Sequence, residues 1–115
     1  MRNDKDNLIV DLTFKFSLAI LDFCDVLEND KRYILARQLL KSGTSIGANV
    51  REAQNAESKS DFIHKFKIAA KEADETEYWL LLCREGKNYP NPGKLLEDLQ
   101  VIIKVISKII SSSKS

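Results

Sequence analysis

The chain is poor in the residues that most enzymes depend on. It carries one histidine, two cysteines and one tryptophan in 115 residues. A lone histidine, His64, excludes the paired Glu-x-x-His ligands of a di-iron bundle, and any Ser-His-Asp arrangement would have to be built on it alone. Flanked by Lys65 and Lys67, it reads as a surface residue. Cys24 and Cys83 lie too far apart for paired metal-ligand spacing, and each occupies an apolar helical position, so both read as buried free thiols. The glycines at 43 and 47 follow no expected strand, which excludes a dinucleotide or phosphate loop. No catalytic residue, cofactor, metal ligand or small-molecule substrate is expected.

Turn formers are scarce as well. Four glycines and two prolines leave few breaks, and that favours long helices over many short strands. No apolar run reaches the ~18 residues that would span a bilayer. The opening MRNDKDN is charged, and the apolar residues after it are periodic rather than continuous, unlike a secretory signal. A reducing cytoplasm is therefore the expected compartment, with no membrane partner. What the chain does have is 43% apolar and 30% charged residues, the balance of one globular domain.

Periodicity places four helices, at about 6–28, 31–56, 60–85 and 92–111. Asp4 or Asp6 is the expected cap of the first, with Leu8, Leu12, Phe16, Ala19 or Ile20, Phe23 and Leu27 inward. Phe14, Leu18 and Leu21 form an adjacent stripe, so the apolar side is wider than one partner helix requires. Asn29 and Asp30 can cap the second helix, with Ile34, Leu35, Leu39 and Leu40 inward. Ser42-Gly43-Thr44 weakens that helix in its middle, either as a kink or as a point of close contact.

The third helix is the clearest. Ser58 or Ser60 caps it, and Phe62, Phe66, Ala69, Ala73, Thr76, Leu80 and Cys83 follow steps of four and three, the seam of a left-handed bundle. Its alanines predict closest approach at Ala69 and Ala73, facing Gly43 and Gly47. Gly86 ends the helix, and Asn91-Pro92 starts the fourth, whose buried side runs from Leu95 or Leu96 through Leu99, Ile102 or Ile103 and Ile106 to Ile109 or Ile110. The polar tail SSSKS is expected to fray. Short loops make an all-α, up-down-up-down antiparallel four-helix bundle the natural arrangement.

Charge is patterned rather than large. Net charge is +1, with the first and third helices acidic and the second and fourth basic, which suits helices that attract each other or a partner subunit. The acidic group Glu72, Asp74, Glu75 and Glu77 reads as ion-paired with Lys67, Lys71 and the second helix, or as solvated, rather than as a cation site. Arg32, Arg37, Lys41 and Arg51 on the second helix, with Lys59, Lys65 and Lys67 opening the third, form the candidate surface for nucleic acid or a partner, since phosphates are met by cations spread over a shared face. The competing reading is a solvated face paired with the acidic helices. Gly43, Gly47, Ala48, Asn49, Ala69, Ala73, Tyr78 and Trp79 are the candidates for close helix packing or a subunit interface. Asn49 and Glu52 could bond within one subunit or between two.

Residues 39–53 (LLKSGTSIGANVREA), then Ala56-Glu57-Ser58, Asp61-Phe62-Ile63-His64-Lys65 and residues 71–80 (KEADETEYWL) closely resemble a family of small four-helix bundles. That family is encoded within intervening sequences of bacterial large-subunit ribosomal RNA genes. The resemblance covers roughly residues 8–110. The family includes the accessory variability protein of diversity-generating retroelements, and the resemblance implies a homopentameric barrel that associates with a reverse transcriptase and with RNA through a basic surface. The near-neutral charge departs from that branch, and the 45–53 and 71–80 segments look more like the general family. The expected function is therefore a non-enzymatic homo-oligomer, pentameric, acting as an adaptor for RNA or a nucleic-acid enzyme. The alternative is a protein-interaction module that binds no nucleic acid.

Overall fold

Small residues set the geometry of the bundle. The structure, a computed structural model, describes residues 7–114, so the caps expected at Asp4 and Asp6 lie outside the described residues. Four helices follow in order: α1 Leu8–Asn29, α2 Tyr33–Ala53, α3 Lys59–Glu85 and α4 Leu95–Ser113. No strand occurs among the described residues. Each helix packs on the next, and α4 closes against α1. The resulting rod measures 46 × 21 × 21 Å.

Pairings along the seams run in opposite directions, as an up-down topology requires. Gly43 meets Ile20 and Gly47 meets Thr13, while Ser42 bonds Thr76 and Glu52 bonds Lys65. The seam of α3 is as expected, with Phe66, Ala69, Ala73, Thr76, Leu80 and Cys83 all buried. Phe62 is half-buried, its ring 4.9 Å from that of Phe66.

The two glycines face α1, not the α3 alanines expected opposite them. A Cβ on Gly43 would stand 2.9 Å from Cγ1 of Ile20, and one on Gly47 would stand 3.2 Å from the Thr13 carbonyl oxygen. A carbon on Gly43 would force Ile20 to shift, and one on Gly47 would press on the α1 backbone, since densely packed neighbours have little room to give. Helix α2 passes through Ser42-Gly43-Thr44 without a break, and Gly43 there lies in close contact with α1.

The inward sides of α1 and α2 also differ from expectation. Helix α1 buries Ile9, Thr13, Phe16, Ile20, Phe23, Cys24 and Leu27, and Leu8 points out at 60% exposure. Helix α2 buries Ala36, Leu39, Ser42, Gly43, Ile46, Val50 and Ala53. Ile34 and Leu40 are exposed instead. The seam of α2 thus alternates Leu39, Ile46 and Val50 with the small Ala36, Ser42, Gly43 and Ala53, at which its neighbours can approach closely.

Three helix ends were legible only in part. Asn29 and Asp30 do not cap α2; they close α1. The Lys31 amide donates to the Glu28 carbonyl at 2.9 Å and the Arg32 amide to the Leu27 carbonyl at 2.8 Å, with Lys31 at φ 62°. This is a Schellman ending with lysine where glycine is usual. At the far end of α2, residues 54–56 taper into a turn, and α4 begins at Leu95 rather than at Pro92. Asn91 accepts the Gly93 amide through its side chain at 2.7 Å, and Gly93 takes φ 55°, a conformation that glycine adopts without strain. Ser58 does cap α3, accepting the Asp61 amide at 3.0 Å, and Gly86 does end it. Of the tail, Ser111 to Ser113 belong to α4, and Ser115 lies outside the described residues.

Candidate functional site

The basic residues divide into three groups. Arg37, Lys41 and Arg51 belong to one stripe of α2, spaced by four- and three-residue steps that also take in Thr44 and Ala48. All three are exposed, and none has an ion pair among the described residues. Arg32 is engaged inside the chain. Its Nε donates to Asp30 at 3.0 Å and Nη2 to the Asn88 carbonyl at 3.1 Å, while the guanidinium lies 4.0 Å from the Tyr89 ring centre. It ties the α1–α2 turn to the α3–α4 loop, and is spoken for as a phosphate contact.

The α3 cations are likewise unequal. Lys65 donates to Glu52 at 2.9 Å, and this bond with its carboxylate charge holds the ammonium above its usual range. Glu52 is therefore an ion-pair partner within the chain. Lys67 is exposed, and Lys59 opens the first turn of α3. The structure thus assembles Arg37, Lys41 and Arg51 as a set, while it separates Arg32 and Lys65 from that set by giving them partners.

Among the small and aromatic candidates, Ala69 and Ala73 are sealed in the core, whereas Ala48 is exposed. Asn49 donates to the Ser45 carbonyl of its own helix at 2.8 Å. Tyr78 is exposed and edge-on to Trp79, ring centres 5.3 Å apart. Trp79 Nε1 donates to Glu75 at 3.1 Å, and Gln100 donates to Glu77. Those two acids take neutral donors rather than the lysines expected for them. No group of three or more His, Cys, Asp or Glu is placed to hold a metal among the described residues.

Two open grooves flank α2. One, about 560 Å³, lies between α1 and α2 and is lined by Phe14, Ser17, Gly47, Ala48, Asp11 and Arg51 among others. The second, about 670 Å³, lies between the start of α2 and the end of α3, with Ile34, Gln38, Trp79 and Leu82 in its walls. Sequence reasoning missed both. The signal was present in the apolar stripe of Phe14, Leu18 and Leu21, which is wider than the core can use.

Neither thiol is a nucleophile at neutral pH. Burial pushes Cys24 up to about 11, with Glu28, Asp25 and Cys83 adding to it, and burial also raises Cys83. Both are free, and Cys24 Sγ donates to the Ala36 carbonyl at 3.4 Å. No described helix is long and apolar enough to cross a membrane.

Comparison with known proteins agrees with the four-helix fold. A family model described as 23S rRNA-intervening sequence protein matches residues 5–112. A solved structure of a protein of unknown function from Bacteroides thetaiotaomicron, assigned to the S23 ribosomal protein family, is 39% identical. The likeness covers 90% of this chain and 98% of that one, with a TM-score of 0.85. None of the curated proteins compared matches the chain.

Proposed function

The chain belongs to the 23S rRNA-intervening sequence protein family, and from that premise we propose a non-enzymatic adaptor that forms a ring of five copies in the bacterial cytoplasm. The ring holds RNA, or a nucleic-acid enzyme such as a reverse transcriptase, on its basic surface. One observation carries this reading: Arg37, Lys41 and Arg51 stand exposed in one stripe of α2, without ion partners among the described residues. A net charge of +1 is small for one chain, but assembly repeats the stripe in every copy and concentrates positive field along it.

Titration of single-stranded RNA against the purified protein at rising salt tests it. Affinity falls with a slope near −0.7 per phosphate neutralised, and binding is present at ~50 mM salt. Replacing Arg37, Lys41 and Arg51 with Gln together flattens the slope. No binding at low salt, or a slope the triple variant leaves alone, favours the second reading, a protein-interaction module without nucleic acid. The near-neutral net charge is the observation on that side.

A further inference from the structure

Two exposed apolar features on neighbouring faces of the bundle match one another. On α1, Phe14, Leu18 and Leu21 follow steps of four and three and are 60%, 48% and 46% exposed. They make a ridge of the kind a helix lays into a groove. The carboxylates beside it, Asp22, Asp25 and Glu28, are exposed and unpaired among the described residues; Asp11, further along, is bonded to Lys15. On the next face, the groove between α2 and α3 has Ile34, 78% exposed, on one wall and Leu82, 43% exposed, on the other. Lys31 also lines it, and the exposed Lys41 and Lys71 continue along α2 and α3. Of the acids nearby, Asp30 is bonded to Arg32, and Glu75 accepts from the neutral Trp79 indole and keeps its charge, so the lysines outnumber it.

We propose that the α1 ridge of one copy seats in the α2–α3 groove of a second copy of this chain. The proposal deepens the assembly reading above and rests on it. Charge selects the occupant: an apolar ridge edged with carboxylates fits an apolar groove edged with lysines, and like-charged alternatives are repelled. Patches of this kind are seldom left bare on a monomer.

Ridge and groove are different surfaces, so the contact is head-to-tail and either closes into a ring or runs on as a filament. Both faces share α2. Adjacent faces of a four-helix bundle stand about 90° apart, and contacts made at roughly 90–110° close at about four or five copies. The helix common to both faces then turns toward the ring axis. Arg37 and Lys41 of every copy consequently line the centre.

Mixing two variants tests this directly. Leu21→Arg spoils the ridge and leaves the groove, while Leu82→Arg does the reverse; both positions are exposed, and far-UV circular dichroism checks that each variant keeps its helices. Light scattering of each alone gives the mass of one chain, and the equimolar mixture gives the mass of two, because one unaltered ridge meets one unaltered groove. Leu18→Arg replaces Leu21→Arg should the latter lose helicity. Either variant keeping the wild-type mass, or a mixture that stays at one chain while the wild type assembles, overturns the proposed contact and leaves assembly standing. A wild type that scatters as one chain overturns both.

Discussion

The hydroxyls of Ser42 and Thr76 are hydrogen-bonded to each other across 2.9 Å, and both side chains are sealed from solvent between α2 and α3. Thr76 also reaches the Glu72 carbonyl of its own helix at 2.7 Å. A hydroxyl pair in an otherwise apolar seam fixes the register of the two helices, since sliding either one strands a buried polar group.

Removing both members of that pair should cost less than the two single removals added together. Ser42→Ala and Thr76→Val should each cost about 1–2 kcal/mol, and the double variant about 1 kcal/mol less than their sum, because no buried hydroxyl is left without its partner. Urea unfolding of the four proteins measures this. Strict additivity would show that the pair is not coupled.

The contact of Gly43 with Ile20 predicts overpacking. Gly43→Ala gains helix propensity, yet its new carbon would stand 2.9 Å from Ile20 Cγ1, so the net effect is a loss of about 1–2 kcal/mol. Adding Ile20→Ala removes every atom the new carbon meets, so the two changes together should cost less than their sum. Thermal unfolding that shows Gly43→Ala as stable as the wild type would place the α1–α2 contact elsewhere.

Lys31 offers the opposite case. It holds φ 62°, which costs a side-chain-bearing residue about 1 kcal/mol relative to glycine. Lys31→Gly should raise stability by up to that amount while leaving the Schellman bonds in place. A destabilised variant would mean that the lysine side chain contributes more than its backbone costs.

High pH should loosen the bundle through Cys24. Its thiol is held at about 11 in the folded chain against an ordinary 9.0. A group raised on folding stabilises fully below its unfolded value, and that contribution is lost as pH climbs through the folded value. The urea midpoint should therefore fall between pH 9 and 11, and Cys24→Ala should lower the starting midpoint but reduce the slope. An equal slope in the variant would assign the loss to other groups.

How much of this was legible in the sequence depended on contrast between neighbouring side chains. The α3 seam could be read from Phe66 to Cys83 because large residues gave way to alanines in strict four-three steps. The α2 seam could not, since Ile34 and Leu40 are larger than the Ala36, Ser42 and Gly43 that are buried. The glycines announced a close contact, but α3 alanines and the α1 backbone would serve equally well, and only the fold decides between them. Lys31 carries no turn signature, so the residues around it were read as a helix start. Among the cations, composition cannot distinguish Arg32, stacked on Tyr89, from Arg37, which has no ion pair among the described residues. That difference depends on the α3–α4 loop, whose Asn88 carbonyl lies 56 residues away in sequence.

The mass of the purified wild-type chain in solution, measured by multi-angle light scattering at micromolar concentration, bears most directly on whether the bare faces beside α2 are built for copies of the same chain. A particle of five chains is the predicted result. A particle of one chain, 13.1 kDa, would contradict it.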